Sequence, residues 1–288
     1  MLDTILASAP LLYGGVFVFG TIIGSFLNVV ILRVPPRLEH EWRCQCQELL
    51  KLQTDESEPP PGIVVERSRC PQCGHPIKAH ENIPILGFLM LGGKCSTCKN
   101  RISWRYPLVE FLTGLLFLVT LWHFGPTSQG FAALFLTAVL IALTGIDADT
   151  QLLPDNMTLP LVWAGILLNS FGTYTDLHSS VFGAIGGYLV LWSIYHLFRL
   201  MTGKEGMGYG DFKLLAAMGA WMGWQVLPLV VLMSSVVGAL FGIAMMATGK
   251  LKRDKPMPFG PFIAAAGWIT LIWGDRIMTY YIGSGSFG

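Results

Sequence analysis

Two aspartates, each at the end of an apolar run, could do chemistry together. Asp147 lies in Gly145-Ile146-Asp147-Ala148-Asp149, and Asp211 closes Gly208-Tyr209-Gly210-Asp211. A carboxylate beside hydrocarbon is costly and marks a functional candidate. Two that converge cannot both ionise easily, so one holds a proton while the other acts as a base, the arrangement by which aspartic proteases split peptide bonds. The ionised member would activate water. The protonated member would donate to the scissile carbonyl oxygen and later help protonate the leaving amine. Asp149 competes with Asp147 for the first role: two residues apart on a helix, they point in different directions, and spacing alone does not choose between them. Asp211 also reads as an N-cap for a helix opening Phe212-Lys213-Leu214-Leu215. Gly208 and Gly210 favour the chemical reading, because they remove side chains that would keep an extended substrate away. Asp155, after Pro154, reads as the N-cap of a helix starting near Met157.

Four cysteines form the other reactive group. Cys70-Pro71-Gln72-Cys73 and Cys95-Ser96-Thr97-Cys98 are two CxxC knuckles whose spacing suits one tetrahedral Zn²⁺ in a closed, structural site. The polar loop that carries them is too small for much of a core, so metal ligation would supply folding free energy directly. Disulfide pairing is the alternative, and a cytoplasmic position argues against it. Cys44 and Cys46 read as free thiols, and His75 and His80 as ordinary loop residues beside a complete ligand set.

The elements that must position these groups are membrane helices. Of the 288 residues 52% are hydrophobic and 13% charged, with 9 Trp and 17 Phe, whereas soluble domains carry about 25% charge. The reading is an all-α polytopic membrane protein. Apolar spans of membrane length fall at about 11–32, 107–123, 130–146, 157–173, 179–199, 212–224, 226–247 and 259–281, eight in all, the sixth short. Met1–Ala9 carries no Lys or Arg, so the first span reads as an uncleaved helix and not a signal peptide. Pro35-Pro36 should end it sharply. With a periplasmic N-terminus, cytoplasmic segments fall at 33–106, 147–156, 200–211 and 248–258. Of the 19 Lys and Arg, all but Arg276 then lie in or beside them, as the positive-inside rule requires. Asp147 and Asp211 both emerge on that side. The domains expected are a first helix at 1–33, a small zinc-binding cytoplasmic domain at 34–105 between helices 1 and 2, and a membrane-embedded region at 106–288.

Other polar features have plainer readings. Asn28, one turn inside the first helix, should bond another helix, and Gly183–Gly187 should pack helices closely. His196 reads as a packing residue, and the Lys250–Lys255 cluster as a topogenic, lipid-facing loop. A net charge of +1 gives no reason to expect a nucleic-acid partner. A transporter using the aspartates as a proton relay would need them near the bilayer midplane, and these sit at helix ends. A thiol oxidoreductase would need its CxxC pairs outside. A scaffold would leave the aspartates unexplained.

A set of ordered motifs resembles the bacterial type IV prepilin peptidases. They are Gly24-Ser25-Phe26-Leu27-Asn28-Val29-Val30 with Arg33 and Pro35; the first knuckle with Glu81-Asn82-Ile83-Pro84; Gly93-Lys94 and the second knuckle; Arg105-Tyr106-Pro107-Leu108-Val109-Glu110; Asp147 through Leu153-Pro154-Asp155; Gly208-Tyr209-Gly210-Asp211-Phe212-Lys213; and Pro258-Phe259-Gly260-Pro261. They run in order from about residue 15 to 275. The resemblance implies that Asp147 and Asp211 are catalytic, with 106–288 an aspartic peptidase domain and 34–105 linked to methyl transfer. It also implies leader cleavage after a glycine of prepilins and type II secretion pseudopilins, at the cytoplasmic face of the inner membrane. Methylation of the new N-terminus by S-adenosylmethionine would follow. No residues for that cofactor are evident, and Cys44, Cys46 and the insert Asp55–Pro61 match no motif.

Overall fold

The computed structural model describes residues 9–52, 59–248 and 257–282. The Lys250–Lys255 cluster and residues 55–58 of the acidic insert lie outside these. Among the described residues the chain is helical, with two isolated bridges, Arg69 with Pro76 and Lys94 with Arg101, in place of strands. It divides into two compact units, Met1–Ala138 and Val139–Gly288.

The first unit is built on α1 (Ala9–Leu49) and α3 (Arg105–Phe124), with the cysteine loop and the short α2 (Leu86–Met90) between them in sequence. α1 runs for 41 residues with Pro35 and Pro36 inside it, so the expected stop at the prolines does not occur. Each proline removes one backbone hydrogen bond, but residues 38–49 are rich in Leu, Glu and Gln, good helix formers that continue the ladder. Side chains on both sides of the prolines take up the returning chain. Arg33 donates to the carbonyls of Gly62, Glu66 and Arg67, and Arg37 to that of Pro60. Higher up, α1 and α3 meet through small residues: a Cβ on Gly20 would lie 2.7 Å from Gly114 Cα, and one on Gly24 2.7 Å from Glu110 Cα. Asn28 Nδ2 donates to the Tyr106 carbonyl at 3.1 Å, the inter-helix bond its position demanded.

The second unit is organised around α7 (Tyr209–Met222). This helix has 14 residues, about 21 Å at 1.5 Å per residue, short of a hydrocarbon core of about 30 Å. Asp211, Phe212 and every residue from Leu214 to Trp221 are buried. α5 (Asp155–Asn169), α6 (Leu177–Thr202) and α9 (Gly260–Ile282) pack on it, and α8 (Leu227–Ala247) packs on α9. Its C-terminal carbonyls, orphaned by the helix end, are met by side chains. Asn169 Nδ2 donates to Ala220 O at 2.8 Å and Trp221 O at 2.9 Å, and Ser180 Oγ to Ala220 O at 2.6 Å. Asn169 Oδ1 in turn accepts from the backbone N–H groups of Tyr174 and Thr175.

α6 reaches α7 through glycines, as the Gly183–Gly187 run suggested. A Cβ on Gly183 would lie 2.2 Å from Gly219 O, and one on Gly187 2.6 Å from Leu215 O. Backbone cannot yield as a side chain can. Gly183→Ala is therefore expected to cost about 1–3 kcal/mol, read as a lowered unfolding midpoint in detergent. Gly186→Ala, where a Cβ meets only Leu227 Cδ1 at 3.4 Å, should unfold like the native chain.

Among the described residues, five helical stretches are long and apolar enough to cross a membrane: α1, α3, α4 (Ser128–Thr150), α6 and Trp224–Ala247. The chain is a multi-pass membrane protein.

Candidate functional site

α4 carries Asp147 in its last turns and presents it inward: Asp147 is 4% exposed, whereas Asp149 is exposed. Burial thus distinguishes two acids that spacing alone did not. Asp147 Oδ2 accepts the Gly260 N–H at 3.0 Å. Gly260 opens α9, so the carboxylate sits at the positive end of a helix dipole. A Cβ on Gly260 would come within 2.8 Å of that same oxygen, so only glycine leaves the contact intact. This residue was missed as a site residue, although Pro258-Phe259-Gly260-Pro261 marked the segment.

Asp211 is 5% exposed. It is not the N-cap of α7 but its third residue, and Gly208 is the cap. Its Oδ2 accepts the Gly208 N–H at 3.2 Å, which ties the GxGD turn to itself. Its Oδ1 is buried and has no hydrogen-bond partner, an acceptor left over for a proton, a water or a ligand. The backbone positions beside the two acids, Gly260 and Gly210, both approach Leu153. Leu153 lies between their supports: a Cβ on Gly210 would meet Leu153 Cβ at 2.6 Å, and one on Gly260 would meet Leu153 Cδ1 at 3.1 Å. The space at Gly210 thus holds Leu153, while around Gly208 the nearest atom to an added Cβ is Gly210 N at 3.9 Å. Asp155, expected as an N-cap, follows the capping residue Pro154 and pairs with Lys213 of α7. That pair is directed outward (Asp155 side chain 59% exposed), and among the described ion pairs neither Asp147 nor Asp211 has a partner. Tyr188, Tyr195 and Tyr209 stack around Phe212, next to Asp211. His196 packs on Trp192 and Tyr195, as its position on α6 suggested.

In the first unit, the Sγ atoms of Cys70, Cys73, Cys95 and Cys98 all lie within 4.8 Å of one another and could hold a metal. The two knuckles share one construction. Cys70 N–H donates to His75 O and Cys95 N–H to Asn100 O, both at 2.9 Å. In each the residue after the second Cys is left-handed, Gly74 at φ 67 and Lys99 at φ 59. Backbone N–H groups of Cys73 and Gln72 bring the Cys70 thiol down to about 6, favouring the thiolate a metal requires. Cys73 moves the other way, to about 11: the His75 N–H pulls it down, but burial and the neighbouring thiols outweigh that. Four adjacent thiolates need a cation. All six cysteines are free of disulfides. Cys44 lies 3.8 Å from His40 Nδ1, one turn away on α1, and neither His75 nor His80 joins the thiol cluster.

Comparison with known proteins shows the family of the chain. The family model of the Bacterial Peptidase A24 N-terminal domain matches residues 18–124, and that of the Type IV leader peptidase family matches residues 134–243. A Stutzerimonas stutzeri protein described as a prepilin leader peptidase/N-methyltransferase is 52% identical over 278 residues, covering 96% of each chain. Proteins of the same description from Pseudomonas aeruginosa (51% identical; 96% of each chain) and Aeromonas salmonicida (54%; 93% of this chain and 92% of its own) also match. No solved structure matches. With its cysteine knuckles under the first family model and both buried aspartates under the second, the chain belongs to the type IV leader peptidase family.

Proposed function

We propose that this enzyme removes the short basic leader of type IV prepilins and pseudopilins with Asp147 and Asp211, then N-methylates the new N-terminal residue from S-adenosylmethionine. The observation that carries the peptidase reading is the buried carboxylate pair. Each acid is fixed through Oδ2 by a backbone N–H, and Asp211 keeps a buried, unpartnered Oδ1. Two such acids share one proton. The ionised member takes a proton from water as it attacks the scissile carbonyl, and the other donates to the carbonyl oxygen and then to the leaving amine. Fixed backbone donors hold the oxygens in place and need no reorganisation during the reaction. The open space at Gly208 is the approach for an extended substrate, and Leu153 backs the pair on the Gly210 side.

The remaining assignments belong to the same reading. The charge distribution supports eight spans, a periplasmic N-terminus and a cytoplasmic active site in the bacterial inner membrane. Residues 34–105 form the cytoplasmic domain and 106–288 the peptidase domain. The metal is zinc. A tetrahedron with Zn–S bonds of about 2.3 Å has S–S edges of about 3.8 Å, against 3.8 Å for Cys70–Cys98 and 4.0 Å for Cys73–Cys95. Four protein ligands leave no open position, so its role is structural.

Incubating the purified protein in detergent with a prepilin, and following leader loss, tests this function. In the same assay Gly260→Ala is expected to lower the cleavage rate by about 10–100-fold, since its methyl would displace the Asp147 carboxylate by a fraction of an ångström or more. Unchanged cleavage would show that Asp147 does not depend on that amide.

A further inference from the structure

A cavity of about 410 Å³ opens in the first unit, between α1, α3 and the two knuckles. Small-molecule sites run from about 300 to 1,000 Å³, so one nucleoside-sized ligand fits. Ser25 and Asn28 line it from α1, Glu110 from α3, and His75 and Phe88 from the loop.

Three features of its wall are unexplained by the fold alone. Glu110 is 8% exposed, and its described hydrogen bond takes the Ile85 N–H at 2.7 Å, with the Ser25 hydroxyl beside it. Among the described ion pairs none gives it a cation, and a buried carboxylate without countercharge is costly. His75 Nε2 is likewise buried with no hydrogen-bond partner. Ile85 itself stands at φ 62, in a γ-turn closed by Leu86 N–H to Pro84 O at 2.6 Å. A β-branched residue is strained there, and such strain concentrates at ligand sites. The carboxylate that holds this turn shares the cavity wall with Arg33, Arg69 and Arg101, so the space suits a ligand that carries both signs of charge, as an amino-acid carboxylate with a sulfonium does.

The relatives' description pairs two activities, and the buried aspartates of the second unit account for one. Methyl transfer needs a place for a donor whose sulfur carries a positive charge. Resting on the methyltransferase reading, we propose that the cavity floored by Glu110 binds S-adenosylmethionine, with the Glu110 carboxylate facing the sulfonium and the incoming α-amine. The α-ammonium of the new N-terminus gives one proton to Glu110. The freed lone pair takes the methyl carbon while the C–S electron pair returns to sulfur, leaving a neutral thioether and a secondary ammonium. The proton on Glu110 then passes to water. His75 Nε2 is the second polar contact for the donor.

Direct binding to the full chain in lipid nanodiscs, measured by equilibrium dialysis, tests this with S-adenosylmethionine and with its demethylated product, S-adenosylhomocysteine. Glu110→Gln keeps an acceptor for Ile85 N–H and removes only the charge. It is expected to weaken S-adenosylmethionine by about tenfold or more, and the uncharged product by less than about threefold. Val29→Trp, which fills the cavity from α1, is expected to abolish binding of both, and unfolding midpoints report the integrity of each variant. Equal affinities in native and Glu110→Gln protein, an equal loss for both ligands, or full binding by Val29→Trp would each overturn the proposal. If Glu110→Gln does not fold, Val29→Trp decides alone. Leader cleavage by the native chain is read separately, so a chain that cleaves prepilin yet binds neither compound refutes this site and leaves the peptidase standing.

Discussion

Asp147→Asn and Asp211→Asn are each expected to lower leader cleavage by about 10³-fold or more, with little further loss in the double variant, because members of a proton-sharing pair act as a unit. An amide still accepts the Gly260 or the Gly208 N–H through its oxygen, so both local turns survive. It cannot take a proton from water or hand one to the leaving amine. Both variants should unfold no earlier than the native chain, since a buried acid under neighbouring negative charge is replaced by a neutral group of the same shape. Asp149→Asn, at an exposed position on the same helix, should cleave at the native rate. Initial rates on a purified prepilin, alongside unfolding midpoints, decide the matter. Cleavage within tenfold of native by either buried-site variant would remove that residue from the chemistry.

Stripping the metal is expected to unfold the knuckle region while the helices of the second unit stay folded. Between residues 59 and 104 only Gly87 and Cys95 are buried, and Val64, Val65, Met90 and Trp104 are each more than 70% exposed. Hydrophobic burial therefore contributes little here, whereas a four-thiolate zinc site contributes about 10–16 kcal/mol to folding at neutral pH. Native protein should carry about one zinc per chain. After chelation, Cys70, Cys73, Cys95 and Cys98 should alkylate rapidly and the loop should be cut by protease, while most helical signal remains. A protein that holds no metal and still protects its four thiols would refute the site.

How far the molecule was legible in its residues depended on the range over which each signal acts. The knuckles were legible because a CxxC turn is local and thiolates have few other uses in pairs. The helices were legible as apolar runs, and apart from the far end of α1, which continues to Leu49, their limits lie within a few residues of those expected. The resemblance pointed to Asp147, but spacing alone could not separate it from Asp149, because two positions on one helix differ only in what surrounds them, and the burying surface comes from elsewhere in the chain. Gly260 escaped for the same reason: its partner lies 113 positions away. Pro35 and Pro36 misled, since a local rule about proline took no account of the strong helix formers beyond. Asp211 read as the N-cap because it lies at the helix start, whereas the cap is Gly208, whose N–H the Asp211 carboxylate accepts from the third helical position. The cavity of the first unit, assembled from α1, α3 and two loops, was legible only as separate motifs around Asn28 and Glu110, because what joins them is packing.

The prolines in α1 carry a mechanical consequence. With two rungs of its ladder missing, the turn at 35–36 would be a soft joint in a rod of 41 residues, about 62 Å long. Arg33 and Arg37 grip the segment 60–67 from either side of that joint, so this segment works as a splint. Stiffness across the joint then rests on three guanidinium nitrogens and the four carbonyls they hold, and anything that peels the splint away frees the rod to swing.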